Sequence, residues 1–196
     1  MMRAPTQDPR ARGQSDAELL VAIAKGDLGP LGVLFDRYHA DVRQFLLRSA
    51  PRSADVDDLV QETFLTVARA AASYDGRDRA GPFIVGVAAQ LLRRKRRSFA
   101  RLRAMLENLG RAPVEAARDP EESAVATAEG ARLQAAMDRL SEDRRIVLVM
   151  VEWNGMGGVE VAKALDVPVG TVWRRLHEAR AELKKALQSN NERGAS

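Results

Sequence analysis

The sequence predicts an all-α protein of two small helical domains joined by a flexible linker, with a helix-turn-helix in the C-terminal domain. Ala, Leu, Arg and Glu dominate the 196 residues and aromatic residues make up only 5%, a composition that favours helix over strand. Apolar residues recur at steps of three and four along most of the chain, as on the buried face of a helix. Between residues 104 and 130 this pattern weakens and six acidic residues stand against two basic ones, which indicates a linker.

The N-terminal domain is predicted to begin at Ser15, after a polar tail that contains Arg and Pro. Residues 1–14 lack an apolar pattern, so we expect this tail to be disordered. Ser15 and Glu18 have the spacing of a capping box, in which each side chain accepts a hydrogen bond from the other residue's backbone. A first helix should therefore start here and end near Lys25, before Gly26.

Three further helices complete a predicted domain of residues 15–103. The apolar spacing places the second helix over 31–49 and the third over 54–72, with Ser53 as the N-cap of the third. The fourth begins with Pro82 as a first helical residue, since the N–H that Pro lacks has no helical partner at that position. It ends in a run of basic residues.

An acidic edge is predicted along the third helix. Asp55, Asp58 and Glu62 recur at helical steps of three and four, beside the apolar stripe. The helix dipole favours negative side chains in a first turn, which accounts for Asp55 and Asp57 but poorly for Glu62. Because this edge would repel DNA, the functional alternative is a surface that binds a basic protein partner.

The basic run at the end of the fourth helix contains seven basic residues and no acidic one between positions 93 and 103. Such a run can neutralise phosphates with little sequence preference. The alternative is a solvated helix end, where the dipole favours Arg in any case.

The C-terminal domain is predicted over residues 131–188, followed by a polar tail at 189–196. Ser141 is placed as the N-cap of a strongly apolar helix. After this helix come a short helix at 158–165, a three-residue break and a longer helix at 169–187, the arrangement of a helix-turn-helix.

The second helix of such a motif lies in the major groove of DNA, where Arg binds guanine and other polar groups hold phosphates. An ordinary helical hairpin with a solvated basic face is the alternative. The residues predicted to face outward or flank the apolar stripe are Thr171, Trp173, Arg174, Arg175, His177 and Arg180.

The composition argues against an enzyme and favours a binding protein. The chain has no Cys and only two His residues, which are far apart, so thiolate metal sites are excluded and a His-rich site is not expected. It also lacks the phosphate-binding, metalloprotease and nucleophile-elbow motifs. We expect no cofactor or metal. No apolar run reaches the length of a membrane span and no secretory signal is present, so a cytoplasmic protein is expected.

Two segments carry a resemblance to a known family. The first is DDLVQETFL at 57–65, and the second is VPVGTV at 167–172, followed by RLH at 175–177. Both resemble segments of the bacterial RNA polymerase sigma factors of the extracytoplasmic-function (ECF) group, within the sigma-70 family. The similarity covers about 31–97 and 132–187, most of the chain predicted to be ordered.

The resemblance implies a two-domain initiation factor with no enzymatic activity of its own. Its implied partners are core RNA polymerase, through the β′ clamp helices and the β flap, promoter DNA, and an anti-sigma factor. The first domain corresponds to sigma region 2 and the second to region 4. The residues implied to bind core polymerase are Asp55, Asp58, Leu59, Gln61 and Glu62.

The resemblance also implies two DNA-reading surfaces. The loop at 73–81 and the fourth helix would recognise and help to melt the −10 element, and the helix at 169–187 would read the −35 element through the six outward residues named above. The implied −10 residues are Tyr74, Asp75, Arg77, Arg79, Gln90, Arg93, Arg94 and Arg97.

The C-terminal domain departs from the family pattern at several positions. Val151 replaces a common Arg, Gly157 replaces a capping Ser, and Trp173 and Glu178 stand where basic residues are common. We therefore expect an unusual −35 preference and weak duplex binding. A stand-alone helix-turn-helix regulator, which binds DNA without polymerase, is the alternative function.

Overall fold

The computed structural model describes residues 13–50, 54–76, 79–108 and 128–194, and within these ranges it contains helices and no strand. The predicted all-α fold class is confirmed. The α-helices are α1 (Asp16–Ala24), α2 (Leu31–Ser49), α3 (Val56–Ala70), α4 (Ala80–Asn108), α5 (Ala128–Arg139), α6 (Glu142–Glu152), α7 (Gly158–Leu165) and α8 (Val169–Gly194). A short 3₁₀ turn, Ala71–Ser73, follows α3.

Local capping signals set two helix starts. The predicted capping box is present, since the Glu18 N–H donates to Ser15 Oγ at 3.3 Å and the Ser15 N–H donates to Glu18 Oε2 at 2.7 Å. Helix α3 is capped by Asp55, whose side chain accepts from the Asp58 N–H at 3.0 Å. The predicted cap Ser53 lies outside the described residues.

Two helices are longer than predicted. Helix α4 starts at Ala80, which still leaves Pro82 in the first turn, where no N–H is needed. It also includes residues 104–108, which were predicted to belong to the linker. Helix α8 ends at Gly194 rather than near Leu187, because no Gly or Pro interrupts the chain between these positions. Helix α5 begins at Ala128 and so includes 128–130, the last residues of the predicted linker. The rest of that linker, 109–127, and most of the N-terminal tail lie outside the described residues.

The apolar stripes of the helices meet in one buried cluster. Helices α1 to α4 bury their stripes against one another, and α5 to α8 do the same. The fully buried large side chains include Leu19, Leu34, Phe45 and Ile84 in the first group and Ile146, Met150 and Leu165 in the second. The periodicity read from the sequence therefore corresponds to the core.

The two helical groups are in direct contact. Helix α7 packs along α4, and α6 packs against α2. The first contact is close because it joins two small residues: a Cβ added at Gly86 of α4 would lie 2.9 Å from the Cβ of Ala164 in α7. At the second contact, the Arg48 guanidinium lies over the Trp153 ring, 5.5 Å from its centroid.

Leu34→Ala is expected to lower the free energy of unfolding by about 2–5 kcal/mol, because Leu34 is fully buried and the change leaves a cavity. Leu65→Ala is the matched control, since Leu65 is 56% exposed and its loss should change stability by about 0.5 kcal/mol or less. Urea unfolding of both variants measures the difference. Equal effects would contradict this assignment of the core.

Candidate nucleic-acid and protein interfaces

Helices α7 and α8 form the predicted helix-turn-helix. The turn between them is made by Asp166 in the left-handed conformation (φ 53°), and the Val167 N–H donates to the Ala162 carbonyl at 3.1 Å. Gly157 provides no side-chain cap for α7, but its N–H donates to Glu160 Oε2 at 2.7 Å. One half of a capping box therefore remains despite the missing Ser.

The exposed face of α8 carries most of the predicted −35 residues. Trp173 is 52% exposed, and Arg174, His177 and Arg180 are also exposed while Thr171 is half-buried. The Trp173 ring lies on Gly158, where an added Cβ would be 2.4 Å from Trp173 Cζ2. Gly158 therefore makes room for the Trp173 ring, a contact that the sequence did not predict.

Of the two placements predicted for Arg175, outward or beside the apolar stripe, the structure has the second. Its Nη2 lies 2.8 Å from Asp143 Oδ2 and its side chain is only 18% exposed. This ion pair joins α8 to α6. Arg174 and Arg180 also have acidic neighbours, at 3.8 Å from Glu178 and 2.5 Å from Glu152, but both remain at the surface.

Four of the predicted −10 residues contact α7. Arg79 donates to Glu160 at 3.1–3.3 Å, and Asp75 accepts from Lys163 Nζ at 2.8 Å. Gln90 Nε2 donates to the Ala164 carbonyl at 2.9 Å, and Arg93 Nη1 donates to the Leu165 carbonyl at 2.6 Å. Of the other predicted −10 residues, Tyr74 packs its ring on Phe83, with the ring centroids 5.3 Å apart. Arg94 and Arg97 are exposed, and Arg77 lies outside the described residues.

The start of α6 adds acidic groups to the same contact. Asp143 Oδ1 lies 3.7 Å from both Arg93 and Arg96, and Glu142 Oε2 lies 3.6 Å from Arg96. Burial raises the pKa of the Glu142 carboxyl, an effect that Arg96 opposes. The pairing of these basic residues with Glu142, Asp143 and Glu160 was not predicted, because each pair joins residues far apart in the chain.

The acidic edge of α3 is present, with one correction. Asp55, Asp58 and Gln61 are exposed, and Glu62 Oε2 lies 2.6 Å from Lys95 Nζ. Leu59, implied as a polymerase contact, is only 3% exposed and belongs to the core. Leu65 is 56% exposed on the same helix, and it follows Gln61 by four residues, so it extends the face that Asp58 and Gln61 begin.

The described residues contain no group of three or more His, Asp or Glu side chains placed to hold a metal ion. In the same ranges, each helix is too short or too polar to cross a bilayer.

Comparisons with known proteins agree with this arrangement. The family model "Sigma-70 region 2" matches residues 34–102, and "Sigma-70, region 4" matches residues 130–183. The chain is 31% identical over 175 residues to the ECF RNA polymerase sigma factor SigM of Mycobacterium tuberculosis, covering 89% of this chain and 85% of SigM. It is 28% identical over 192 residues to the ECF RNA polymerase sigma-E factor of Escherichia coli, covering 89% and 95%.

Two solved structures share the fold. CnrH, in complex with the cytosolic domain of CnrY, matches with a TM-score of 0.62 and 24% identity, over 90% of this chain and 99% of CnrH. RpoE from Bartonella quintana, in complex with the anti-sigma factor NepR, matches with a TM-score of 0.62 and 18% identity, over 85% and 98%. Both domains and their order are thus shared with these relatives, and the chain belongs to the ECF group of the sigma-70 family of RNA polymerase sigma factors.

Proposed function

We propose that this sigma factor binds core RNA polymerase through the exposed face of α3 and directs it to promoters through two DNA-reading surfaces. The −10 element would be read by α4 and the loop before it, and the −35 element by α8. The observation that supports this most is the order of surfaces along the chain: α3, which carries the acidic edge, is followed by two helices that carry exposed basic residues, α4 and α8.

The proposed polymerase-binding face combines charge with apolar area. Asp58 and Gln61 supply exposed polar groups, and Leu65 adds an exposed apolar side chain beside them. Charged groups across an interface provide register and specificity, while a central apolar side chain supplies burial. A basic, partly apolar helix surface on the polymerase, as the β′ clamp helices would provide, complements this face.

The proposed −35 surface is the N-terminal half of α8. Arg174 is well placed to contact DNA because its side chain is 66% exposed and its pairing with Glu178 is long, at 3.8 Å. Trp173 presents an apolar ring to the same side, where it could contact a thymine methyl group. This face therefore offers both polar and apolar groups to the edges of the bases, and not only charges to the phosphates.

Sigma factors are generally non-catalytic regulatory proteins. We propose that this chain likewise supplies recognition only, that it acts in the cytoplasm, and that it needs no cofactor. RpoE was solved in complex with the anti-sigma factor NepR. We propose an anti-sigma factor as a further partner of this chain, covering its polymerase-facing surfaces.

Adding the purified chain to core RNA polymerase is expected to produce transcripts that start at a defined set of promoters. Sequencing the 5′ ends of these transcripts would give both promoter elements at once. Core enzyme alone is the control. The absence of a stable complex with core, combined with tight binding of the isolated chain to a palindromic duplex, would instead indicate the stand-alone regulator, which the matches to both sigma domains do not favour.

A further inference from the structure

We propose that the free chain holds itself in a closed state, in which α7 occupies the −10-reading surface of α4 as an internal substitute for nucleic acid. The proposal rests on the proposed function, because it concerns the regulation of the same surface. It adds a partner for that surface: the first helix of the chain's own helix-turn-helix.

The C-terminal end of α7 has the acceptors that a nucleic acid would offer. The last carbonyls of a helix have no partner within it and carry the negative end of the helix dipole. Here the Ala164 carbonyl accepts from Gln90 and the Leu165 carbonyl accepts from Arg93, at 2.9 and 2.6 Å. Two side chains proposed to meet promoter DNA are therefore already bound to oxygen acceptors of the same protein.

Carboxylates of α6 and α7 pair with the basic side chains on and just before α4, as phosphates would. Glu160 binds Arg79 through both of its oxygens. Asp143 lies 3.7 Å from Arg93 and from Arg96, and Glu142 lies 3.6 Å from Arg96. Each of these acids faces a basic side chain on α4 or just before it. The paired charges suit an interface that a competing polyanion can open, because DNA offers the same basic groups a higher density of negative charge.

The fit between the two helices is also specific. Gly86 is buried in α4 and faces Ala164 at a distance that leaves no room for a larger pair. Close approach of two helices is favoured where both present small side chains, because the backbones can then come together. The Lys163–Asp75 ion pair, at 2.8 Å, closes one side of this contact.

The closed state excludes simultaneous reading of both promoter elements. These elements are separated by roughly 25 base pairs, or about 85 Å of B-DNA. Only three residues, 166–168, connect α7 to α8, so α8 cannot lie on a −35 element while α7 remains on the −10 surface. Promoter binding therefore requires α7 to leave α4.

A reversible cross-link tests this directly, because the natural chain has no Cys. The double variant Gly86→Cys with Ala164→Cys places the only two thiols across the contact. Disulfides need Cβ atoms about 3.5–4.5 Å apart, so a separation of the helices by about 1 Å accommodates the bond. The same preparation is then assayed with core polymerase and a promoter, oxidised and after reduction with dithiothreitol.

We expect the disulfide to form readily in the free chain, and the oxidised form to give at least tenfold fewer promoter-specific transcripts than the reduced form. Equal transcription from fully oxidised and reduced protein would overturn the proposal. If the two thiols do not bond in the free chain, the scattering measurement on the natural chain decides, since it involves no substitution at this contact. If the natural chain itself directs no promoter-specific transcription, the proposed function fails, whichever result the cross-link gives.

A second variant keeps Gly86 and Ala164 unchanged and alters only charged side chains around them. Glu142→Gln, Asp143→Asn and Glu160→Gln remove three negative charges but keep a side-chain oxygen at each position, including the one that caps α7. Small-angle scattering should give a compact natural chain and a larger radius of gyration for the triple variant, with unchanged helix content by circular dichroism. An extended natural chain in the absence of DNA would contradict the closed state.

Discussion

Reversing the charge at two positions of α3, with Asp58→Arg and Glu62→Arg, is expected to lower the affinity for core RNA polymerase by at least about 30-fold. Losing a charge pair at a desolvated interface costs about 2–5 kcal/mol, and each 1.4 kcal/mol is a factor of ten in affinity. Asp58 is exposed and Glu62 is half-buried, so both substitutions can be accommodated without disturbing the core. Titration of fluorescently labelled chain with core enzyme measures the change.

The ion pair between Glu62 and Lys95 complicates this test, since breaking it removes a contact between α3 and α4. Lys95→Ala is the matched control, because it breaks the same ion pair but keeps the negative charge on Glu62. We expect Lys95→Ala to bind core as the natural chain does. If it binds as weakly as the charge-reversal variant, the contact between α3 and α4 matters rather than the acidic face.

Leu59 and Leu65 show what local pattern can and cannot predict. The helical spacing of α3 places Leu59 in the apolar stripe, and the structure buries it. Its assignment as a polymerase contact came from the family resemblance alone and is inconsistent with that burial. Leu65 lies outside the stripe and is exposed, so the spacing of Asp58, Gln61 and Leu65 could have indicated this face.

Contacts between distant segments could not be predicted from the sequence, for a different reason. Capping boxes and apolar stripes involve residues three or four positions apart, so their spacing is visible in the chain. The contact of Arg175 with Asp143 spans 32 positions and that of Arg93 with Leu165 spans 72. Many Arg and Asp residues could have made such pairs, and only the packing of α4, α6, α7 and α8 selects among them.

Substitutions in the −35 surface are expected to have the second large effect, which is on transcription. Trp173→Ala with Arg174→Ala should lower transcription from promoters that depend on their −35 element by about 10-fold or more, since one base contact contributes about 1–3 kcal/mol. Both side chains are exposed, so the fold should be retained. Lys184→Ala is the control, because Lys184 is exposed on the same helix ten residues further along.

The two side chains should differ when they are changed singly. An Arg that reads a base relaxes the preference at one position, whereas an Arg that holds a phosphate weakens all sequences equally and reduces the salt dependence by about one ion. Trp173 has no charge, so Trp173→Ala should alter sequence preference without changing the salt dependence. Selection from a library randomised at the −35 element, repeated at two salt concentrations, separates these outcomes. If neither variant changes the preferred −35 sequence, the bases are recognised elsewhere on the chain, because a phosphate contact does not distinguish one sequence from another.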